Sequence, residues 1–199
     1  MAYETCSDVS PEFWNLLAGA DPGEITGRTG ALFQDGVYRL PFLNRELLID
    51  PGERRVQLAQ APEAEPGFRV CLLALLYLLK MDPQGLGPLT SPLELPGGAT
   101  FFRGHHGVPS GPVEARFGQD VAGLLAAGAR IGAEPRPAGD AALAVPVFPG
   151  LTVMVILWQG DEEFPAQASF SVPAHIHRFW GLDAIWGLMN LVTQELAQA

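Results

Sequence analysis

Apolar residues fall into runs whose spacing changes along the chain. SPEFWNLLAGADPG reads as a short helix, with Ser10 as N-cap and Pro11 in the first turn; Gly19 and the DPG that follows end it. GALFQDGVYRLPFLNRELLIDPGERRVQL reads as an antiparallel meander, its short strand-like runs separated by QDG, LNR and DPGE. GFRVCLLALLYLLKMD is apolar nearly all round and rich in Leu and Ala, which predicts a buried helix stopped at MDP. Phe117, Val121, Leu124, Leu125 and Gly128 recur at helical spacing and predict one amphipathic helix, followed by a loop at EPRPAGD. Leu151 to Trp158 carries Thr152, Val153, Val155 and Ile156, as suits the middle of a sheet, and AQASFSV reads as its hairpin partner. Leu182, Ile185, Trp186, Met189 and Val192 place one apolar stripe on a C-terminal helix.

This order predicts a single α+β domain over residues 1–199. It has a mostly antiparallel sheet, an N-terminal meander, a buried central helix, an amphipathic helix and a C-terminal helix. Between the buried and amphipathic helices lies PQGLGPLTSPLELPGGATFFRGHHGVPSGP, an irregular stretch crowded with Gly and Pro. Irregular segments this long are uncommon in compact domains and often carry function.

Composition narrows the partners. Hydrophobic residues make up 48% of the chain, enough for a folded core without structural metal. The formal net charge is −10, with acids scattered throughout, so neither nucleic acid nor an anionic membrane is an expected partner. The longest apolar run, Val70 to Leu79, spans about 15 Å as a helix against about 30 Å of hydrocarbon. MAYETCSDVS has no basic region or apolar core, so no secretory signal is expected and the location is read as cytoplasmic. The two cysteines, Cys6 and Cys71, cannot hold an all-cysteine iron–sulfur cluster or a four-cysteine zinc site. Cys71, set among apolar neighbours, reads as a buried and inert thiol.

The familiar catalytic signatures are absent: no GxGxxG after a strand, GxxxxGK[ST], HExxH, CxxC or GxSxG. Candidate chemistry is confined to three places. Arg103, His105 and His106 lie on the glycine-flanked RGHHG loop, as an anion or metal site or as a loop tied down by imidazole hydrogen bonds. Asp161, Glu162 and Glu163 form an acidic turn, as ligands for a hard cation, a general base, or simply a polar strand end. At most two of the three can face one site, because successive strand residues point oppositely. His106 and Glu163 are the candidate metal ligands across the two segments. His175 and His177 would face the same side of a strand, although no third ligand stands near. If the segments Pro96–Gly111 and Gly160–Pro165 meet at one end of the sheet, they form a recess. Arg103 is then the natural partner of a carboxylate, because its planar fork matches one.

The chain also resembles a known family. A PGG precedes FF-x-G-x-H and a proline at Pro96, Gly97, Gly98, Phe101, Phe102, Gly104, His106 and Pro109. The pattern continues at Phe117, Gly118, Gly139, Asp140, Pro146, Pro149 and the Trp158, Asp161–Pro165 turn. This resembles the domain-of-unknown-function 3786 family of anaerobic and metal-reducing bacteria and some archaea. The chain departs from that pattern at Ser169–Val172, where SFSV replaces a segment that often carries a carboxylate. Some relatives carry the domain behind an iron–sulfur-cluster domain related to corrinoid methyl-transfer proteins, which implies a setting in redox or one-carbon metabolism. This chain has no such cluster domain, and no cluster of its own is expected; its cofactor is otherwise open. Three functions follow as expectations: a non-catalytic module binding a small molecule, cofactor or partner protein; a metal-dependent hydrolase or lyase using the acidic turn and the GHH loop; or a structural interaction protein.

Overall fold

A computed structural model describes residues 4–199. Met1–Tyr3, the start of the stretch read as lacking a leader, lie outside the described residues. The fold is α+β with antiparallel sheets, and it divides into two compact units. The first comprises residues up to Pro83 together with Phe148–Gly150; the second comprises Gln84–Val147 and Leu151–Ala199.

In the first unit, α1 (Pro11–Gly19) starts as the sequence predicts, with the Ser10 hydroxyl accepting from the Glu12 amide at 3.4 Å. The DPG read as a terminator also begins a second helix, α2 (Pro22–Thr29), because the Asp21 carboxylate caps it at the Gly23 amide, 2.9 Å away. The meander follows as β1 (Leu32–Gln34), β2 (Val37–Phe42), β3 (Arg45–Asp50) and β4 (Arg55–Leu58), paired in sequence order. Tyr38, Leu40 and Phe42 alternate inward on β2 and meet Leu47 and Ile49 of β3. The buried helix is α3 (Phe68–Lys80). The carbonyls of Leu78 in its last turn and of Met81, its C-cap, accept from the Arg28 guanidinium at the end of α2, where a cation also suits the helix dipole.

Cys71 is buried, as expected, but it is not a free thiol. Its Sγ is bonded to that of Cys6, with the two Cα atoms 5.4 Å apart. The expectation failed because the partner comes from 65 residues earlier. The 3-10 turn Cys6–Asp8 is brought there by a hydrogen bond from the Phe68 amide to the Glu4 carbonyl and a bridge between Thr5 and Gly67.

In the second unit, the stretch predicted to be irregular is built of short pieces. They are an edge strand β5 (Leu89–Thr90), the one-turn helix α4 (Gly98–Phe101) and 3-10 turns at Pro92–Glu94 and Gly104–His106. The single predicted amphipathic helix is two, α5 (Gly111–Phe117) and α6 (Val121–Arg130). Apolar spacing runs through the break, but Asp120 leaves helical geometry and caps α6 at the Gly123 amide, 2.8 Å away. EPRPAGD contributes β6 (Glu134–Arg136), paired with β7 (Ala141–Phe148). The predicted hairpin is β8 (Leu151–Trp158) with β9 (Gln167–Pro173), giving the order β5-β9-β8-β7-β6. The C-terminal helix is α7 (Leu182–Gln198).

Candidate functional site

The two segments expected to share a recess lie at the two ends of α5, a helix about 10 Å long. The loop enters α5 at its N-terminus and is fastened to α7. There the Trp186 indole donates to the Gly107 carbonyl and the Thr193 hydroxyl to that of Pro109, each at 3.0 Å. The His106 ring packs edge-on to Trp186 and against Phe101, with centroids 5.4 and 4.7 Å away. The acidic turn sits at the C-terminal end of α5. The Gly160 amide donates to the Gly118 carbonyl at 3.1 Å, and the Gln119 side chain donates to the Gly160 carbonyl at 2.8 Å.

No hydrogen bond, ion pair or ring contact joins the loop to the turn among the described residues. The expected pairing of Arg103 with a carboxylate is therefore corrected. Arg103, His105, Glu162 and Glu163 are exposed, and their side chains make no hydrogen bond or ion pair among the described residues. His106 and Glu163 are likewise not brought together. Among the described residues, no group of three or more His, Cys, Asp and Glu side chains is placed to hold a metal ion. Asp161 acts within its own turn, where one carboxylate oxygen accepts from the Glu163 and Phe164 amides at 2.8 and 2.7 Å. The Phe164 amide first, and then that of Glu163, hold its carboxyl below the usual aspartate range.

His175 and His177 are not on a strand, since β9 ends at Pro173 and a 3-10 turn follows at Ile176–Arg178. His175 stands against Gly87, and the His177 ring nitrogen Nδ1 lies 3.0 Å from the Ala174 carbonyl.

The glycines of the family pattern serve close packing. A Cβ at Gly118 would come within 2.5 Å of the Ala166 Cβ, and one at Gly139, whose φ is +56°, within 2.6 Å of the Leu157 carbonyl oxygen. Gly118 seats the acidic turn on α5; Gly139 lets Asp140 donate its amide to Leu157 and accept from the Gln159 amide.

A different site lies in the first unit. A recess of about 310 Å³ is lined by Leu17, Ala20, Pro22, Phe33, Tyr38 and Asp50, among others. Tyr38 is 1% exposed, and its hydroxyl is the one buried side-chain polar atom among the described residues without a hydrogen-bond partner. Buried hydroxyls are nearly always partnered, so Tyr38, at the wall of a recess, is a candidate ligand contact. The Phe33 ring stands beside that of Tyr38, with centroids 4.5 Å apart, and is itself 39% exposed. Burial, and then the Asp21 charge, push the phenol above its ordinary range, which keeps it a neutral donor. The sequence hinted at this residue only through the inward position of a tyrosine on an alternating strand.

The family model described as "Domain of unknown function (DUF3786)" matches residues 21–195. The chain belongs to the DUF3786 family. The match takes in Pro22, Phe33, Tyr38 and Asp50 of the recess, but not Leu17 or Ala20, and both segments of the Gly-rich pattern. No curated protein and no solved structure matches the chain. Among the described residues, no helix of this DUF3786 chain is long and apolar enough to cross a membrane.

Proposed function

We propose that this DUF3786 chain is a non-catalytic, cytoplasmic module that binds a small molecule in the recess beside Tyr38. The orphan Tyr38 hydroxyl carries the reading. The walls at Leu17, Ala20, Pro22 and Phe33 are apolar, and the polar side chains among the lining residues are those of Tyr38 and Asp50. This suits a one- or two-ring heteroaromatic molecule, neutral or cationic, that presents a hydrogen-bond acceptor to the phenol. A recess of about 310 Å³ is at the lower end of the usual range for ligand sites. Asp50 and the net charge of −10 disfavour anions. They also support a reading without nucleic acid or membrane partners. Redox or one-carbon metabolism in anaerobes remains the setting that the family resemblance suggests.

The test is titration of the isotopically labelled protein with benzimidazole and with benzoate, followed by amide chemical shifts. Benzimidazole is expected to move the amides of Leu17, Tyr38 and Asp50 while benzoate leaves them in place. Shifts that map away from these residues, or none from any member of a one- and two-ring fragment library, would overturn the reading.

A further inference from the structure

We propose that Cys6 and Cys71 form a thiol-exchange site, with Cys6 as the sulfur attacked by a low-molecular-weight thiol and Cys71 as the resolving cysteine. This stands independently of the Tyr38 recess. A second cavity, of about 330 Å³, is lined by Cys6, Ser7, Arg54, Arg55, Glu63 and Ala64 among others, and Cys71 is not part of its wall. Cys6 is 5% exposed and Cys71 fully buried in the first turn of α3. Cys6 therefore borders the cavity and Cys71 does not, and accessibility decides which sulfur of a disulfide is attacked. The thiol class follows from the charge around the cavity. Glu53, Glu63 and Glu65 line it along with Arg54 and Arg55, three carboxylates against two guanidiniums. A small thiol without net negative charge fits better than a polyanionic one.

The exchange balances without further reagents. A thiolate attacks Cys6 Sγ, a new S–S bond forms there, and the Cys6–Cys71 bond breaks. The electron pair leaves on Cys71, which takes a proton from water. A second thiolate then attacks the sulfur of the small thiol in the mixed disulfide and releases Cys6. The net change is reduction of the protein disulfide by two electrons and oxidation of two thiols to their disulfide. The reverse reaction, with that small disulfide as oxidant, restores the bond. Reduction removes the covalent cross-link between Glu4–Asp8 and α3, leaving the segment's joins to Gly67 and Phe68 through the Thr5 bridge and the Phe68 amide. The site thus couples the thiol pool to the order of the wall of its own cavity.

The oxidised wild-type protein is incubated under native conditions with L-cysteine, quenched in acid at intervals, and mapped by peptide mass spectrometry. The first adduct is expected on Cys6, with Cys71 appearing as a free thiol. Ala64→Trp, at an exposed position in the cavity wall, should slow the reaction several-fold with the far-ultraviolet circular dichroism unchanged. Cys71→Ala, treated with cystine, should accumulate the Cys6 adduct; if that variant does not fold, the wild-type and Ala64→Trp arms decide. A first adduct on Cys71, a disulfide that resists cysteine until denaturant is added, or an unchanged rate in Ala64→Trp would overturn the proposal.

Discussion

Tyr77 and Phe148 stack with ring centroids 4.7 Å apart, and the Tyr77 hydroxyl lies between the carbonyls of Pro149 at 2.6 Å and Thr29 at 3.0 Å. Tyr77 and Tyr38 are both buried within the same unit, yet one phenol is held by two acceptors and the other by none. Removing the two hydroxyls should therefore have opposite consequences. Tyr77→Phe strips the carbonyls of their donor and should lower stability by about 1–3 kcal/mol. The urea midpoint of unfolding measures this.

Gly118 carries no chemistry and is nonetheless fixed by its neighbours. Gly118→Ala pushes a methyl into Ala166 and the carbonyl of Glu114, so the turn must lift from α5. The expected loss is about 1–3 kcal/mol. Faster hydrogen exchange at the Gly160 amide, which donates to Gly118, should accompany it.

These glycines show how much of the molecule was legible in its sequence. The meander, the buried helix, the β8–β9 hairpin and the C-terminal helix follow from periodicity and turn residues, which act locally. DPG reads as a stop at Asp21, and the apolar spacing carries one helix through Asp120, because a capping aspartate is recognised only by the amide it meets, here those of Gly23 and Gly123. The candidate site was the least legible part. Opposite charge on Arg103 and Asp161–Glu163 suggested contact, but charge does not set the path of the chain. The packing of Trp186 on the loop and Ala166 on Gly118 sends the two segments to separate ends of α5. The orphan hydroxyl of Tyr38 and the proximity of Cys6 to Cys71 are tertiary facts that no local pattern contains.

Asp161 should titrate below an ordinary aspartate. Its folded-state pKa is depressed, so the turn gains from the ionised form above the unfolded pKa and loses that gain as pH falls through the folded value. Carbon-detected NMR titration should place its midpoint below that of a model peptide. The amides of Glu163 and Phe164 should lose their protection over the same window. Asp161→Ala should remove the titration-linked change at both amides.

The Cys6–Cys71 bond closes a long loop, with 65 residues of separation. Its removal by Cys6→Ser should lower stability by about 2–4 kcal/mol, chiefly by releasing the unfolded chain. Comparing urea unfolding of the oxidised wild type with that of the variant measures the difference. The effect should vanish when both are unfolded in excess dithiothreitol.

Tyr38→Phe separates a ligand-facing phenol from a structural one. Without ligand, the variant should keep its stability or gain up to about 1–3 kcal/mol, because an unpaired hydroxyl leaves the interior. The most direct measurement sets that stability beside the dissociation constant for benzimidazole, both taken on wild type and variant. The expected result is an unfolding midpoint equal to or above that of wild type, together with affinity roughly 3- to 10-fold weaker, as loss of one hydrogen bond gives. Clear destabilisation with unchanged affinity would contradict a binding role for Tyr38.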